Sequence, residues 1–350
     1  MLLQKLARFF SSDIGIDLGT ANCLVYMKDK GIVLSEPSVV ARVKGTKEVL
    51  AVGLEAKKML GRPNENLQVV RPMKFGVIAD FDITEAMLKH FIHQAKKMLP
   101  PHKTLIRPRV LIAVPSGITP VERRAVQDTA DHAGAGDIFL IEEPVASAVG
   151  VGLPVSDPTG SMIVDIGGGT TEVAVLSLSG IVTKHSLRVG GDEMDIAIIQ
   201  SIKLKHNLAI GPRTAEDLKI GIGSAYPQDD EDQIYMEAKG TDLINKRPKS
   251  IKISAKELRE ALDGPVRNIV EAVNSTFEQC PPEIAGDLLD RGIMLAGGGS
   301  MLRGLDRRIS ETTGLPVFLA DDPLHAVANG TGIILQDIDR MAKAMALAVE

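Results

Sequence analysis

Residues 162–175 read MIVDIGGGTTEVAV, in which two apolar segments flank three consecutive glycines. The first segment is apolar up to Asp165, and alternation between apolar and polar residues resumes at Val173. This pattern predicts a hairpin of two strands and a tight turn, rather than a strand that leads into a helix. Glycines in the turn allow backbone N–H groups to approach an anion, and Asp165 suits a hydrated divalent cation beside it. The segment alone fits a phosphate-binding turn and a flexible hairpin equally well.

The same pattern occurs a second time, near the start of the chain. Residues 14–26 read IGIDLGTANCLVY, which aligns Asp17 with Asp165 at the end of the first strand of each hairpin. Two such turns directed at one cleft can hold one polyphosphate from both sides. The pair is therefore a more specific indication of a phosphate site than either hairpin alone.

Later segments of the two halves also repeat in the same order. The matching pairs are RVLIAVPSG (109–117) with RGIMLAGGG (291–299), and EEPVASAVGVG (142–152) with DDPLHAVANGTG (321–332). These alignments place Ser116 opposite Gly298 and Glu143 opposite Asp322. The matched order predicts two similar lobes, each a hairpin–strand–helix–strand–helix unit, related by a pseudo-twofold axis around a cleft.

The overall composition is that of an ordinary globular protein of 350 residues, 44% hydrophobic and 24% charged. This length favours two domains. Aromatic residues make up 3% of the chain and Trp is absent, so the core is predicted to be aliphatic. The net charge of −5 argues against a nucleic-acid partner. The two cysteines, Cys23 and Cys280, form neither a disulfide framework nor a metal-binding pattern, which favours a reducing compartment.

The first twelve residues, MLLQKLARFFSS, have the pattern of a basic amphipathic helix that lies in a membrane surface. The predicted membrane-facing residues are Leu2, Leu3, Leu6, Phe9 and Phe10. The alternative is a terminal helix that packs on the protein's own core. Burial of these side chains would gain about 8–15 kcal/mol, against about 10–20 kcal/mol for ordering ten residues. A single copy would therefore bind weakly, whereas an array of copies would bind well through avidity.

A third glycine turn, at 297–299, is predicted to lead from a strand into a helix that begins near Met301. A helix N-terminus there would favour an anion, or the glycines would allow close packing of a ribose or base. The P-loop pattern GxxxxGK[ST] does not occur in the sequence. Glu143 and Asp17 are the polar groups that could orient a water at a terminal phosphate. The alternative for Glu143 is a charge that complements a helix dipole.

The sequence resembles the superfamily of actin, DnaK chaperones and sugar kinases. Within it, the resemblance to the MreB family of bacterial actins is close and covers almost the whole chain. The resembling segments are IDLGTAN, RPMKFGVIADF, VPSGITPVERRA, EEPVASA, VDIGGGTTEVAVLSL, RVGGDEMD, AEDLK with IGSA, IMLAGGG and ADDPL. Departures are few: Cys23 stands where Thr is usual in the family, and Gly221 weakens the helix that carries Glu216 and Lys219.

This resemblance implies an α/β, actin-like (ribonuclease H-like) two-lobed fold with duplicated βββαβα units around a nucleotide cleft. It implies a filament protein that polymerises with nucleotide, hydrolyses it slowly and determines cell shape by organising cell-wall synthesis. The implied cofactors are ATP, with GTP left open, and Mg²⁺. The implied location is the cytoplasm, peripheral on the inner face of the cytoplasmic membrane, with itself, MreC, MreD and RodZ-type proteins as partners and no nucleic acid. The rival is a small-molecule, sugar-type kinase on the same fold.

The family's functional residues are carried over by motif. Asp17 and Asp165 would hold Mg²⁺ through water, and Glu143 would position the attacking water, with Asp17 and Thr170 as further catalytic residues. The expected phosphate-binding residues are Gly19, Thr20, Ala21, Asn22, Gly167, Gly168, Gly169 and Thr170. The residues expected around the adenosine are Glu216, Lys219, Gly297, Gly298, Gly299 and Ser300.

The expected division of the chain follows the same resemblance. The membrane helix is expected at 1–12, and lobe I at 13–150 with a small subdomain at about 33–75. Lobe II is expected at 151–332 with a small subdomain at about 185–250. The C-terminal helix, about 333–350, is expected to complete lobe I.

Overall fold

The computed structural model describes residues 12–61, 65–104, 106–227, 229, 231–336 and 338. The predicted membrane residues of the N-terminal segment lie outside these ranges. Within them, no helix is long and apolar enough to cross a membrane.

Groups of strands are followed by helices along the chain. The strands are β1 (Asp13–Leu18), β2 (Asn22–Met27), β3 (Gly31–Pro37), β4 (Val40–Val43), β5 (Val49–Val52), β6 (Leu67–Val70), β7 (Met73–Lys74), β8 (Val77–Ile78), β9 (Arg109–Val114), β10 (Ile138–Glu142), β11 (Ser161–Ile166), β12 (Thr171–Ser177), β13 (Gly180–Leu187), β14 (Leu208–Ala209), β15 (Tyr235–Asp242), β16 (Pro248–Ser254), β17 (Ile293–Ala296) and β18 (Val317–Leu319). The helices are α1 (Leu54–Lys57), α2 (Phe81–Lys97), α3 (Pro120–His132), α4 (Glu143–Gly150), α5 (Gly191–His206), α6 (Pro212–Ile222), α7 (Ala255–Glu278), α8 (Pro282–Arg291), α9 (Leu305–Thr313) and α10 (Ala326–Gln336).

Two large sheets have the same strand order. The first sheet runs β10-β9-β1-β2-β3 and the second runs β18-β17-β11-β12-β13. In each, the first strand of the hairpin pairs antiparallel with the next strand and parallel with a later one. We call the part of the molecule around the first sheet lobe I and the part around the second sheet lobe II. Both predicted hairpins and the duplicated arrangement are confirmed.

One detail of the predicted alignment is wrong by one residue. Asp17 pairs with Ala113 across the first sheet, and Asp165 pairs with Ala296 across the second. Ser116 therefore corresponds to Gly299 and not to Gly298. The reason is local: β9 already includes Arg109, whereas Arg291 still belongs to α8, which ends at a glycine with a φ of 71° before β17 begins.

Besides the two-stranded β7-β8 sheet, two three-stranded sheets accompany the large ones. Strands β5-β4-β6 form one and β14-β15-β16 form the other. The first falls within the segment of about 33–75. The second falls within the segment of about 185–250, except that β16 ends at Ser254. The domain boundaries given above stay predictions.

The interior is aliphatic, as the composition predicts. In the described chain, Phe91 is the aromatic side chain of the buried core, and Ile, Leu, Val, Ala and Met supply nearly all the rest. Helix α7 is a single helix with Pro265 inside it. Its buried face packs in the core of lobe II.

Helices α4 and α10 cross at unusually close range. A Cβ added to Gly150 would overlap the carbonyl oxygen of Ala326, and one added to Gly330 would overlap that of Ala146. The same pair of helices buries an apolar cluster with β9 and β10, which joins Leu111 and Ile141 to Ile334 and Leu335. Helix α10, the last helix among the described residues, is thereby fixed onto the first sheet.

Candidate functional site

A cavity of about 450 Å³ lies between the two lobes. Every predicted site residue among the described ones lines it except Ser300, which is buried and donates its hydroxyl to the Gly297 carbonyl at 2.6 Å. The predicted residues in its lining are Asp17, Gly19, Thr20, Ala21, Asn22, Glu143, Asp165, Gly167, Gly168, Gly169, Thr170, Glu216, Lys219, Gly297, Gly298 and Gly299. The structure thus brings the two hairpin turns, the acidic residue between them and the late glycine turn into one site.

The two hairpin turns approach each other so closely that the second requires glycine. A Cβ on Gly168 would lie 2.6 Å from the Cβ of Ala21, and one on Gly169 would lie 2.7 Å from the hydroxyl of Thr20. That hydroxyl accepts a hydrogen bond from the Gly76 N–H at 2.8 Å. The glycines therefore serve the contact between lobes as well as access for a ligand.

Helix α5 fixes the conformation of the second turn. The carbonyls of Gly167 and Gly168 accept hydrogen bonds from the N–H groups of Gly191 and Asp192 at 3.0 and 2.7 Å. The turn closes with a bond from the Gly167 N–H to the Thr170 carbonyl at 2.8 Å. Because its carbonyls are already satisfied, the turn is held in place before any ligand arrives.

Asp17 and Asp165 occupy equivalent positions at the ends of β1 and β11 and both line the cavity. Burial, reinforced by the charge of Asp165, raises the pKa of Asp17 to about 7. Burial also raises the pKa of Asp165 to about 6. The Oδ2 atom of Asp165 is buried without a hydrogen-bond partner among the described residues.

These features fit a divalent cation with oxygen ligands. A cation would relieve the repulsion between the two carboxylates and give the unpaired Oδ2 a partner. The described chain holds no cluster of three or more His, Cys, Asp or Glu side chains with metal-binding geometry. Two carboxylates with water completing the shell are the donor set that suits Mg²⁺, which keeps several of its waters.

Glu143 is the first residue of α4 and is buried beside the cavity. Burial, followed by the charges of Glu172, Asp17 and Asp165, raises its pKa well above the usual range. Such a carboxyl is a poor complement to a helix dipole, because its environment disfavours the charged form. A raised pKa in a cleft is typical of a group that takes up a proton during a reaction.

Lys219 and Glu216 lie on α6, where each already has a partner. The Lys219 Nζ is 2.7 Å from Asp195 Oδ1 and donates to the Gly191 carbonyl at 2.7 Å. The Glu216 Oε1 is 3.3 Å from the Nζ of Lys57 on α1. Helix α6 is therefore tied both to its own lobe and to the opposite one.

Charged residues that the sequence analysis missed join the two sides of the cavity. One is Lys57, which pairs with the expected Glu216. The others are Arg71 and Asp192, and Arg71 Nη1 lies 2.8 Å from Asp192 Oδ1. The partners are more than one hundred positions apart in the chain, so no local pattern reveals them. The segments RPMK and RVGGDEMD were recognised, but only as parts of a resemblance.

The expected helix behind the third glycine turn is wrong in its starting point. Residues Gly298–Met301 form a short 3₁₀ turn, and α9 begins at Leu305. Leu302 is extended and Gly304 is left-handed with a φ of 71°, so the chain changes direction before the helix starts. The helix N-terminus therefore does not explain anion binding at this turn, and close packing against a flat ligand is the better interpretation.

Comparison with known proteins agrees with this geometry. A family model described as MreB/Mbl protein matches residues 11–343. The chain is 52% identical over 344 residues to cell shape-determining protein MreB of Escherichia coli (strain K12), which covers 97% of each chain. It is 47% identical over 334 residues to cell shape-determining protein Mbl of Bacillus cereus, covering 95% of this chain and 98% of that one.

Among solved structures, MreB5 of Spiroplasma citri bound to ADP has a TM-score of 0.89 and 36% identity, covering 95% of this chain and 98% of that chain. The same protein bound to AMPPNP has a TM-score of 0.88. The MamK double helical filament has a TM-score of 0.78 at 21% identity, over 93% and 99% of the chains, and shows the fold alone. The fold is actin-like. With a family model that spans nearly its whole length and two matched sheets around one cleft, this chain belongs to the MreB/Mbl family.

Proposed function

We propose that this protein is an ATP-dependent cytoskeletal filament protein that determines cell shape by organising cell-wall synthesis. The observation that carries the proposal is the cavity between lobes, which two equivalent turns and two equivalent aspartates line from opposite sides. The names of the relatives support the biological role, since both are described as cell shape-determining proteins. The complexes of Spiroplasma MreB5 with ADP and AMPPNP support an adenine nucleotide as ligand.

In this proposal the turns at 19–22 and 167–170 bind the phosphates. Glu216, Lys219 and residues 297–300 flank the adenosine. Asp17 and Asp165 hold Mg²⁺ through water, and when bound this ion neutralises phosphate charge. Glu143 accepts a proton from the attacking water, with Asp17 and Thr170 as further catalytic residues. Hydrolysis is slow and serves assembly rather than metabolism.

Self-assembly, the membrane and the protein partners belong to the same proposal. The protein polymerises with itself and lies peripherally on the inner face of the cytoplasmic membrane. It works there with MreC, MreD and RodZ-type proteins. The amphipathic pattern of residues 1–12 supports the membrane contact.

The decisive experiment is sedimentation of the purified protein with Mg²⁺ and ATP, with and without liposomes, followed by electron microscopy of the pellet. We expect filaments that form with ATP and that bind lipid. A protein that stays monomeric at high concentration with ATP would rule the proposal out. A parallel sample with GTP in place of ATP shows which nucleotide the protein prefers. Rapid phosphate transfer to a sugar would favour the kinase alternative.

Removal of residues 1–10 tests the membrane contact separately. We expect the truncated protein to polymerise normally and to lose its co-flotation with liposomes. If it still floats with lipid, the N-terminal segment is not the main anchor.

A further inference from the structure

Glu172 is a buried carboxylate that the proposed chemistry does not use. It lies on β12, is 1% exposed, and is not among the residues that line the cavity in the described chain. Burying a carboxylate is expensive, and apolar side chains would join the same surfaces at lower cost. A carboxylate at this buried position therefore calls for a role that depends on directional hydrogen bonds.

Those bonds link the two lobes. The Oε2 atom accepts a hydrogen bond from the backbone N–H of Ser116 at 3.2 Å and a second, short one from the Ser116 hydroxyl. The Oε1 atom accepts from the Ser186 hydroxyl at 2.6 Å. Ser116 follows β9 of lobe I, whereas Ser186 is the cross-strand partner of Glu172 in lobe II. We call these three residues the interlobe contact.

The surroundings show that the lobes meet tightly at this point. A Cβ on Gly117 would lie 3.1 Å from the Cβ of Ser186, closer than nearly all real contacts of this kind. Beside it, Lys184 Nζ lies 2.7 and 2.9 Å from the two carboxylate oxygens of Glu142. Lys184 and Ser186 are two residues apart on β13, so both project from the same face of that strand.

The interlobe contact adjoins two proposed catalytic residues in the chain. Glu142, held by Lys184, directly precedes Glu143 at the start of α4. Thr170 lies two residues before Glu172, at the entry to β12. A shift of one lobe against the other at this contact would therefore change the separation of Glu143 from Thr170.

We propose that Glu172 is a positioning residue that sets the hydrolytic geometry through the interlobe contact, an inference that rests on the proposed function. It fixes the position of lobe I, which carries Glu143, relative to lobe II, which carries Thr170. Glu172 does not itself line the cavity, although its cross-strand partner Asp165 does, so nucleotide binding should depend on it less than hydrolysis does.

The test compares Glu172→Ala with Glu172→Gln and with a matched control. Glutamine retains the shape of the side chain. Its oxygen can accept hydrogen bonds from Ser116, and its NH2 group can donate one to the Ser186 hydroxyl. The control is Glu237→Ala, because Glu237 accepts from the Ser250 hydroxyl at the same 2.6 Å on an exposed hairpin of lobe II. Ser186→Ala removes a single bond and serves if Glu172→Ala fails to fold.

In single-turnover ATP hydrolysis we expect Glu172→Ala to be slower by about 10- to 100-fold, as a small misplacement of reacting groups produces. Its nucleotide affinity should stay within about threefold of the wild type, the range of an indirect effect. Glu237→Ala should hydrolyse at the wild-type rate. Glu172→Gln should lose far less than Glu172→Ala, although it also removes a charge that raises the pKa of Glu143. Ser186→Ala should show a smaller loss than Glu172→Ala. A wild-type rate for Glu172→Ala, or equal losses for Ala and Gln, would overturn the inference.

Hydrogen exchange without nucleotide separates this inference from the proposed function. The amide of Ser116 should lose protection in Glu172→Ala and keep it in Glu172→Gln and Glu237→Ala. Unchanged protection in Glu172→Ala would refute the interlobe contact. A wild type that neither binds nor hydrolyses ATP would refute the proposed function, whatever the exchange shows.

Discussion

Three carboxyl groups, those of Asp17, Asp165 and Glu143, meet at one cavity with their pKa values raised. The residue types were predictable, because each stands in a short motif of fixed spacing. Their protonation was not, since it depends on burial and on carboxylates brought together from both lobes. The site is therefore strained by charge repulsion until a proton or a cation enters it.

The pH dependence of stability follows from these carboxyls. Folding raises the pKa of Asp17 from 3.8 to about 7 and that of Asp165 from 3.8 to about 6, so the folded state binds their protons more tightly. Their contribution to stability is fully present below pH 3.8 and is lost as the pH rises through 6 and 7. Without Mg²⁺ and nucleotide, the melting temperature should therefore fall over this interval relative to that of Asp165→Asn.

The measurement is thermal unfolding at a series of pH values in the presence of a chelator. Asp165→Asn serves as the reference, because it lacks one titrating group together with the charge that adds to the raised pKa of Asp17, while ionisations elsewhere in the chain cancel in the comparison. A wild type that gains stability over the variant between pH 4 and 7 would contradict the assigned pKa shifts.

Glu143→Gln should separate binding from hydrolysis. The amide keeps the size of the side chain but cannot accept a proton, and loss of a general base lowers rates by about 10²- to 10⁴-fold. Single-turnover hydrolysis should fall by this amount while ATP affinity and ATP-dependent sedimentation persist. Glu283→Gln, in the first turn of α8, is the control for a similar change at another helix start. Equal loss of binding and hydrolysis would assign Glu143 to nucleotide binding instead.

Among the elements, the crossing of α4 and α10 allows no side chain at its glycines. Ala at position 330 would collide with the carbonyl of Ala146. Such overpacking costs about 1–3 kcal/mol, so Gly330→Ala should lower the urea midpoint clearly. Gly286→Ala in α8 is the matched control, because a Cβ there has open space, and it should stabilise by about 0.4–1 kcal/mol. Equal effects of the two substitutions would show that the helices can separate at no cost.

The elements also show where sequence reasoning succeeds. Apolar alternation around the glycine turns predicted both hairpins, since strand and turn signals are local. The alignment predicted between β9 and β17 was wrong by one residue at Gly292, because the positive φ of a glycine at a helix end leaves no trace in the apolar periodicity. The start of the helix after Gly299 was also predicted too early. The residue that directly precedes the helix is Gly304, whose positive φ the periodicity does not reveal either.

At the scale of the whole molecule, two ion pairs span the cavity between lobes: Lys57 with Glu216 and Arg71 with Asp192. All four side chains are partly exposed, so each pair contributes about 0.2–1 kcal/mol. Replacing Lys57 and Arg71 together by Gln should therefore speed release of a fluorescent ADP analogue by about 2- to 10-fold.

High salt should reduce the difference between the variant and the wild type in this release assay, because it screens exposed charges. Lys58→Gln is the control, since Lys58 pairs with Glu55 within lobe I at 2.6 Å. Unchanged release in the double variant would mean that the pairs do not restrain opening. Such pairs join segments far apart in the chain, and for that reason the sequence predicted the turns of the site but not the bonds across it.

The docking of α10 on the first sheet has a consequence for the order of synthesis. Leu111 and Ile141 are covered partly by Ile334 and Leu335, which leave the ribosome much later. At ~5–20 residues per second, the intervening stretch of roughly 190 residues takes roughly 10 to 40 s to translate. During that time the nascent lobe I exposes the apolar surface that α10 covers in the folded protein. The nascent chain thus has a period in which a chaperone, or a neighbouring nascent chain, competes for the place of α10.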